Sequence, residues 1–290
     1  MEISQEFKDK IQHVANLPTL PQIASRLVRI INDPMTSSND VAFVIGQDLS
    51  LSAKVLRLAN SAFYGVPKSI TNINSAVVIL GLKVLHTMVL GLTVFDMFPD
   101  KKKNAALFDR KSFWLHSLGC GMIAKFLASR IRKFILFDPE EAFCAGLLHD
   151  IGKVVMEQYL HEDFHKALEY AKANDLPIYN AENTVLGYNH CQVAEWLTST
   201  WGLPSELQYP LIYHHAPSDT DQNLEIVTLC HLSDWLCYDF GLNNNSYKPP
   251  ELIKESLNVL KLEQDDIDIL RERFKAEMEK AVAFFEIAVS

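Results

Sequence analysis

Leu147-Leu148-His149-Asp150-Ile151-Gly152-Lys153 is the stretch on which the reading of this chain turns. A strongly apolar helical segment, 139–149, runs directly into an imidazole and a carboxylate. Gly152 then permits a tight backbone, and a lysine follows. A carboxylate buried against such a helix is costly unless it is paired or holds a cation. Alone, a His-Asp dipeptide is common by chance, and its ordinary role is a hydrogen-bonded pair at a helix end.

Other residues along the chain change the odds. His116 shares a helix side with Phe113 and Cys120. His190 opens a helical stretch with Val193, Ala194 and Leu197. His214 and His215 close another, before Ala216-Pro217. Asp234 sits in the apolar helix Ile226 to Phe240, between Leu232 and Trp235. Each is a ligand type in or beside an apolar setting, and imidazole with carboxylate suits zinc, manganese or iron. Singly, each is more often a satisfied core or surface residue.

Nearly every periodic segment repeats at helical spacing and none alternates as a strand would, which points to an all-α chain. Pro21 fits the first turn of a helix that Asp33-Pro34 ends. Ser37 with Asp40 forms a capping-box pattern. Ser50 is a candidate cap for the helix carrying Leu51, Val55 and Leu58, and 73–98 reads as two helical pieces. The first hundred residues form a bundle of about five short helices, with no catalytic cluster. Lys101-Lys102-Lys103-Asn104 reads as a solvated linker. Helices are then expected over 108–129, 139–149, 153–173, 180–187, 189–201, 204–215 and 223–240, a loop over 241–246, and helices near 249–260 and 264–288. The last buries one apolar face. The expected division is 1–104, 105–245 and 246–290, the final part packing on the body.

The formal net charge of −9 repels phosphate backbones, so general nucleic-acid binding is disfavoured. Five cysteines without a CxxC read as reduced core thiols of a cytoplasmic protein. The N-terminus shows no signal-peptide pattern. The apolar run Val77 to Phe98 is interrupted by Lys83, His86 and Asp96, so it reads as a buried helix broken at Gly81 rather than a membrane span.

The order His116, His149-Asp150, His190, His214-His215, Asp234 resembles the ligand series of the HD superfamily of metal-dependent phosphohydrolases, and His149 to Lys153 resembles its HD-GYP variety. The first half is similar to the HDOD (HD-related output) domain. The matching strings are Leu17-Pro18-Thr19-Leu20-Pro21, Val44 to Asp48, Val55 to Ser61, Ala62-Phe63-Tyr64-Gly65 and Ala76 to Gly81, with Trp201-Gly202-Leu203-Pro204 later. The resemblance implies an N-terminal helical bundle lobe packed on an HD-type helical lobe. It implies one or two divalent transition-metal ions (Fe, Mn or Zn). His116, His149, Asp150 and Asp234 match the primary site, with Asp150 as the bridge. His190, His214 and His215 match a second site, and Lys153 matches a lysine near a substrate phosphate. Adjacent helical residues point about 100° apart, so His214 and His215 share a site only if the helix frays before Ala216-Pro217.

HDOD proteins are regulators in bacterial signalling, often acting through protein contacts and often lacking metal ligands, whereas this chain keeps a full-looking set. After His215 it reads Ala216-Pro217-Ser218-Asp219-Thr220, with no Gly-Tyr-Pro, which puts cyclic-di-GMP hydrolysis in doubt. Three functions follow as expectations. The first is a regulatory module that contacts other signalling proteins. The second is a metal-dependent phosphohydrolase in which Asp150 and Lys153 carry the chemistry. The third is a sensor that binds a nucleotide or other phosphoester without cleaving it. The chain carries no recognisable receiver, kinase or DNA-binding segment.

Overall fold

Ser37 and Asp40 cap each other as their spacing predicts: the Ser37 hydroxyl accepts from the Asp40 amide, and the Asp40 carboxylate accepts from the Ser37 amide. The computed structural model in which this is seen describes residues 18–31, 33, 35–99, 108–135, 137–243 and 248–289. The described residues contain helices and no strand, and they divide into two units. One takes in residues 20–99 and 269–289; the other takes in 18, 19 and 108–268.

The first unit begins with α1 (Gln22–Ile31), α2 (Ser38–Gly46), α3 (Leu49–Ala59), α4 (Ile73–Leu80) and α5 (Leu82–Met97). α3 is capped by Asp48, whose side chain accepts from the Leu51 amide. Ser50 therefore lies inside the helix instead of capping it, because the carboxylate two residues earlier already meets the free amide. The Asn60 side chain bonds both the amide and the carbonyl of Ile70, which pins the connection to α4. Gly81, at φ 91°, ends α4 and turns the chain 119° into α5. That positive φ is open to glycine at little cost. α5 buries every residue from Thr87 to Phe95. No single described helix is long and apolar enough to cross a membrane.

Within this unit the end of the last helix packs by one face. Phe284 meets Phe63 edge-on at 5.0 Å, Phe285 meets Phe95 at 5.9 Å, and the Lys54 ammonium donates to the Ala288 carbonyl.

The second unit holds α6 (Arg110–Arg130), α7 (Pro139–Leu148), α8 (Ile151–Tyr159), α9 (His161–Asn174), α10 (Ile178–Leu186), α11 (His190–Trp201), α12 (Ser205–Tyr213), α13 (Leu224–Asp239) and α14 (Ser256–Leu260). α15 (Gln264–Val289) begins in this unit and continues into the other. The single helix expected over 153–173 is two, broken at Leu160 (φ −124°, ψ 38°). Glu162 and Asp163 then stand in the first turn of α9, where the helix dipole favours acids. The helix expected from 249 starts only at Ser256, since Pro249-Pro250 keeps the chain out of helical pairing. The linker Lys101–Asn104, Leu17 and residues 244–246 of the expected loop lie outside the described residues.

α6 and α7 pack closely through two glycines. A Cβ on Gly146 would stand 2.7 Å from the Gly121 nitrogen and 2.8 Å from the Cys120 carbonyl, both backbone atoms that cannot swing aside. Gly146→Ala is therefore expected to destabilise this unit by on the order of 1–3 kcal/mol, read as a lower denaturant midpoint. Gly46→Ala, where a Cβ meets nothing within 4 Å, should leave stability unchanged or raise it by up to about 1 kcal/mol. Equal behaviour of the two variants would contradict close packing as the reason for the α6–α7 glycines.

Candidate metal centre

Five helix ends or middles of the second unit converge on one point. α6 supplies His116 from its buried face. His149 and Asp150 sit in the break between α7 and α8, and Lys153 lies in the first turn of α8. His190 begins α11. α12 ends at Tyr213 with His214 as its C-cap, still at helical dihedrals, and His215 follows in the turn; their rings lie 4.1 Å apart. Asp234 comes from the middle of α13. His116, His149, Asp150, His190 and His214 are 0% exposed, Asp234 1% and Lys153 2%, while His215 is half-buried.

The break that presents Asp150 is held by a close approach: a Cβ on Gly152 would lie 1.9 Å from the His190 carbonyl oxygen. Only a residue without a side chain lets the start of α8 sit against the start of α11, and this brings His190 Nε2 to 3.2 Å from Asp150 Oδ1.

The orientation of the imidazoles is set from behind. His116 Nδ1 lies 2.8 Å from the Leu242 carbonyl, His149 Nδ1 2.8 Å from that of Gly146, and His214 Nδ1 3.0 Å from that of Pro210. His190 Nδ1 is 2.6 Å from a Glu182 carboxylate oxygen, which also accepts from the His190 amide. Carbonyls only accept, so each Nδ1 facing one carries the proton, and Nε2 of a neutral ring presents its lone pair. These Nε2 atoms all face carboxylates. His116 lies 3.0 Å from Asp234, and His149 lies 3.1 Å from Asp150 and 3.6 Å from Asp234. His214 lies 3.6 Å from Asp150. The Lys153 ammonium donates at 2.6 Å to Asp150 Oδ2, the oxygen that His149 also faces. His215 Nε2 stands 3.1 Å from His190 Nε2.

Lone pairs facing carboxylates repel unless the rings take up protons or a cation lies between them. Burial disfavours charge on His116, yet Cys120 and Asp234 outweigh it and lift its pKa to about 9. His149 is likewise raised well above the usual range: burial opposes this, and Asp150 and Cys120 prevail. Asp150 and Asp234 are held far below the ordinary carboxylate range in spite of burial, by His149 and Lys153 for the first and by His116 and His149 for the second. His215 goes the other way, pushed well down by burial and by His214 and His190. The site thus attracts positive charge strongly.

A metal ion fits this demand. His149 Nε2 and His214 Nε2 are buried and make no hydrogen bond, a state worth roughly 1–3 kcal/mol of lost pairing per group. Donor atoms of His116, Cys120, His149 and Asp234 lie within 4.8 Å of one another. So do those of His149, Asp150 and His214, and those of His190, Cys191, His214 and His215. The seven residues picked out as ligands from the sequence thus all reach one centre, and Lys153 joins them. Sequence reasoning passed over Glu182, which is fully buried. Its one signal was a carboxylate in an apolar turn beside Ile178 and Ala181, eight residues before a candidate ligand.

The HDOD domain family model matches residues 17–217. Among solved structures, an HDOD domain protein with unknown function from Geobacter sulfurreducens is 27% identical at a TM-score of 0.81, over 97% of this chain and 96% of that one. A candidate signal transduction protein from Marinobacter aquaeolei is 21% identical at 0.82, over 100% of this chain and 62% of the other. A candidate phosphohydrolase from Shewanella amazonensis is 23% identical at 0.71, over 97% and 98%. At such identities the last two bear on the fold alone. The chain spans 40% of the length of a curated relative it matches, an uncharacterized protein of Treponema pallidum, at 25% identity over 214 residues.

Glu182 holds His190 through two bonds, and outer partners of this kind tune ligand orientation and basicity. Glu182→Ala is expected to weaken metal binding by roughly 10–100-fold, measured by competition against a chromophoric chelator, with helix content retained. Undiminished affinity would show that Glu182 plays no part in orienting the ligand.

Proposed function

The chain belongs to the HDOD domain family, and from that premise and the closure of its buried centre we propose that it is a regulatory protein of signal transduction. In this reading the HD-type unit is a scaffold held by one or two divalent transition-metal ions, and the output is contact with other signalling proteins. The observation that carries it is the burial of the ligands: every one except His215 is sealed from solvent. Structural metal sites are closed, whereas catalytic ones keep a coordination position that substrate can reach. His116, His149, Asp150 and Asp234 would hold the first ion, and Asp150, His190, His214 and His215 the second. Mixed imidazole and carboxylate ligation favours iron, manganese or zinc over magnesium or calcium. For the output, Met35, Phe43, Leu49, Val78 and Ile79 of the N-terminal unit are apolar side chains that stand exposed, the kind of surface partners cover.

A second reading, phosphoester hydrolysis, draws on Lys153 and on the half-buried side of the centre at His215 and Tyr179, whose rings lie 4.6 Å apart. A bound metal would supply an activated water and polarise a phosphoryl oxygen. Asp150 would orient that water, and Lys153 would offset charge on the phosphate. The same side would admit a nucleotide that is bound without being cleaved.

Elemental analysis of freshly purified protein, run alongside Asp150→Ala, tests the proposal. The expected result is stoichiometric first-row metal in the wild type, a large loss in the variant, and no product from a panel of nucleotides and cyclic dinucleotides. Robust turnover by the wild type that disappears in Asp150→Ala would overturn the regulatory reading in favour of the hydrolase. A wild-type protein free of metal would remove both.

A further inference from the structure

Cys120 stands four residues after His116 on α6, so the two side chains share a helix face. Its sulfur lies 3.7 Å from His116 Nε2, the nitrogen that faces Asp234, and the residue is completely buried. Donor atoms of Cys120, His116, His149 and Asp234 lie within 4.8 Å of one another, and the buried His149 Nε2 makes no hydrogen bond. We propose that the Cys120 thiolate is an added ligand of this pocket, joining His116, His149, Asp234 and the bridging Asp150 around a thiophilic ion such as zinc. The proposal rests on the reading of the centre as a metal site and deepens it. The metal–sulfur bond forms as the thiol proton is released, so no oxidant or reductant is involved.

Position separates Cys120 from the other thiols. Cys191 also falls within reach of imidazoles, but its sulfur lies 3.9 Å from His214 Nδ1, the nitrogen engaged with the Pro210 carbonyl. It is therefore behind the ring rather than in front of it. The Cys237 thiol points to the backbone carbonyl of His116 at 3.7 Å. The two halves of the centre accordingly differ in chemistry. The His116 half adds a sulfur to its nitrogen and oxygen donors, the mix that favours tightly held zinc. In the half built on Asp150, His190, His214 and His215 the nearby Cys191 sulfur stands behind the His214 ring, which leaves nitrogen and oxygen in front and suits harder first-row ions.

Cobalt(II) substituted into the full chain reads this directly, because cobalt–thiolate bonds give an intense charge-transfer absorption in the near ultraviolet that imidazole and carboxylate do not. The expected result is stoichiometric cobalt uptake with that band. It should be lost in Cys120→Ser and kept in Cys191→Ser and Cys237→Ser. Zinc X-ray absorption on the wild type should independently show a sulfur scatterer at about 2.3 Å, which protects the test if Cys120→Ser folds poorly. Cobalt bound by the wild type without the band, or a band that survives Cys120→Ser, overturns the Cys120 assignment and leaves the metal centre standing. No cobalt or zinc uptake at all overturns the metal reading and this inference with it.

Discussion

Asp150, Asp234 and Glu182 are carboxylates removed from water in one small volume, and the only buried ammonium described beside them is that of Lys153. Three negative charges against one positive leave two uncompensated, at several kcal/mol each in a dry interior. Water cannot reach them. The nearby imidazoles can help only by taking up protons, and three of them already spend their Nδ1 protons on backbone carbonyls. One divalent cation among the Nε2 atoms restores neutrality without any further proton. The alternative is to charge two rings, which places imidazolium beside imidazolium: burial first, and then His214 and His190, push His215 far down. The rest of this unit can be understood as the packing that keeps those carboxylates dry and those rings aimed.

That packing is set by backbone rather than by long side chains. The approach of α6 to α7 through Gly121 and Gly146 fixes where His116 stands relative to His149. The approach of Gly152 to the His190 carbonyl fixes α11 relative to Asp150. The carbonyls of Gly146 and Pro210 lie in the last turns of α7 and α12, and that of Pro210 already accepts from the His214 amide. Here they are used as acceptors for ring N–H groups. His149 and His214 keep helical dihedrals as the C-cap residues of α7 and α12, and each ring turns back onto a carbonyl of its own last turn.

Much of this was readable from residues alone. Helical periodicity pointed to the all-α class, the Ser37–Asp40 spacing to a cap, and the family strings to the HDOD family. What escaped was of two kinds. Competition between neighbours misled at Ser50, where Asp48 was the stronger cap, and at Leu160, where no glycine or proline marks the break. The second kind was three-dimensional. Glu182 is an ordinary helical glutamate in sequence and becomes a ring anchor only because α10 passes behind His190. Cys120 was visible as a neighbour of His116 on one helix face, but its usefulness depends on which nitrogen of that ring is already taken. Such facts arise from tertiary placement, and no local pattern encodes them.

Closure then decides how the centre can matter. An ion held by sealed ligands exchanges only when part of the unit opens, so its binding energy is shared with the folding of the helices that supply those ligands. Occupancy therefore acts on stability by mass action, and a signal that loosens α11 or α12 changes occupancy in return, because the coupling is reciprocal. A catalytic site needs the opposite arrangement, with rigid ligands and one open edge. Here the one half-buried ligand, His215, belongs to the group with His190, Cys191 and His214, while the group of His116, Cys120, His149 and Asp234 is wholly enclosed. If substrate or signal enters anywhere among these ligands, it enters at His215 and Tyr179.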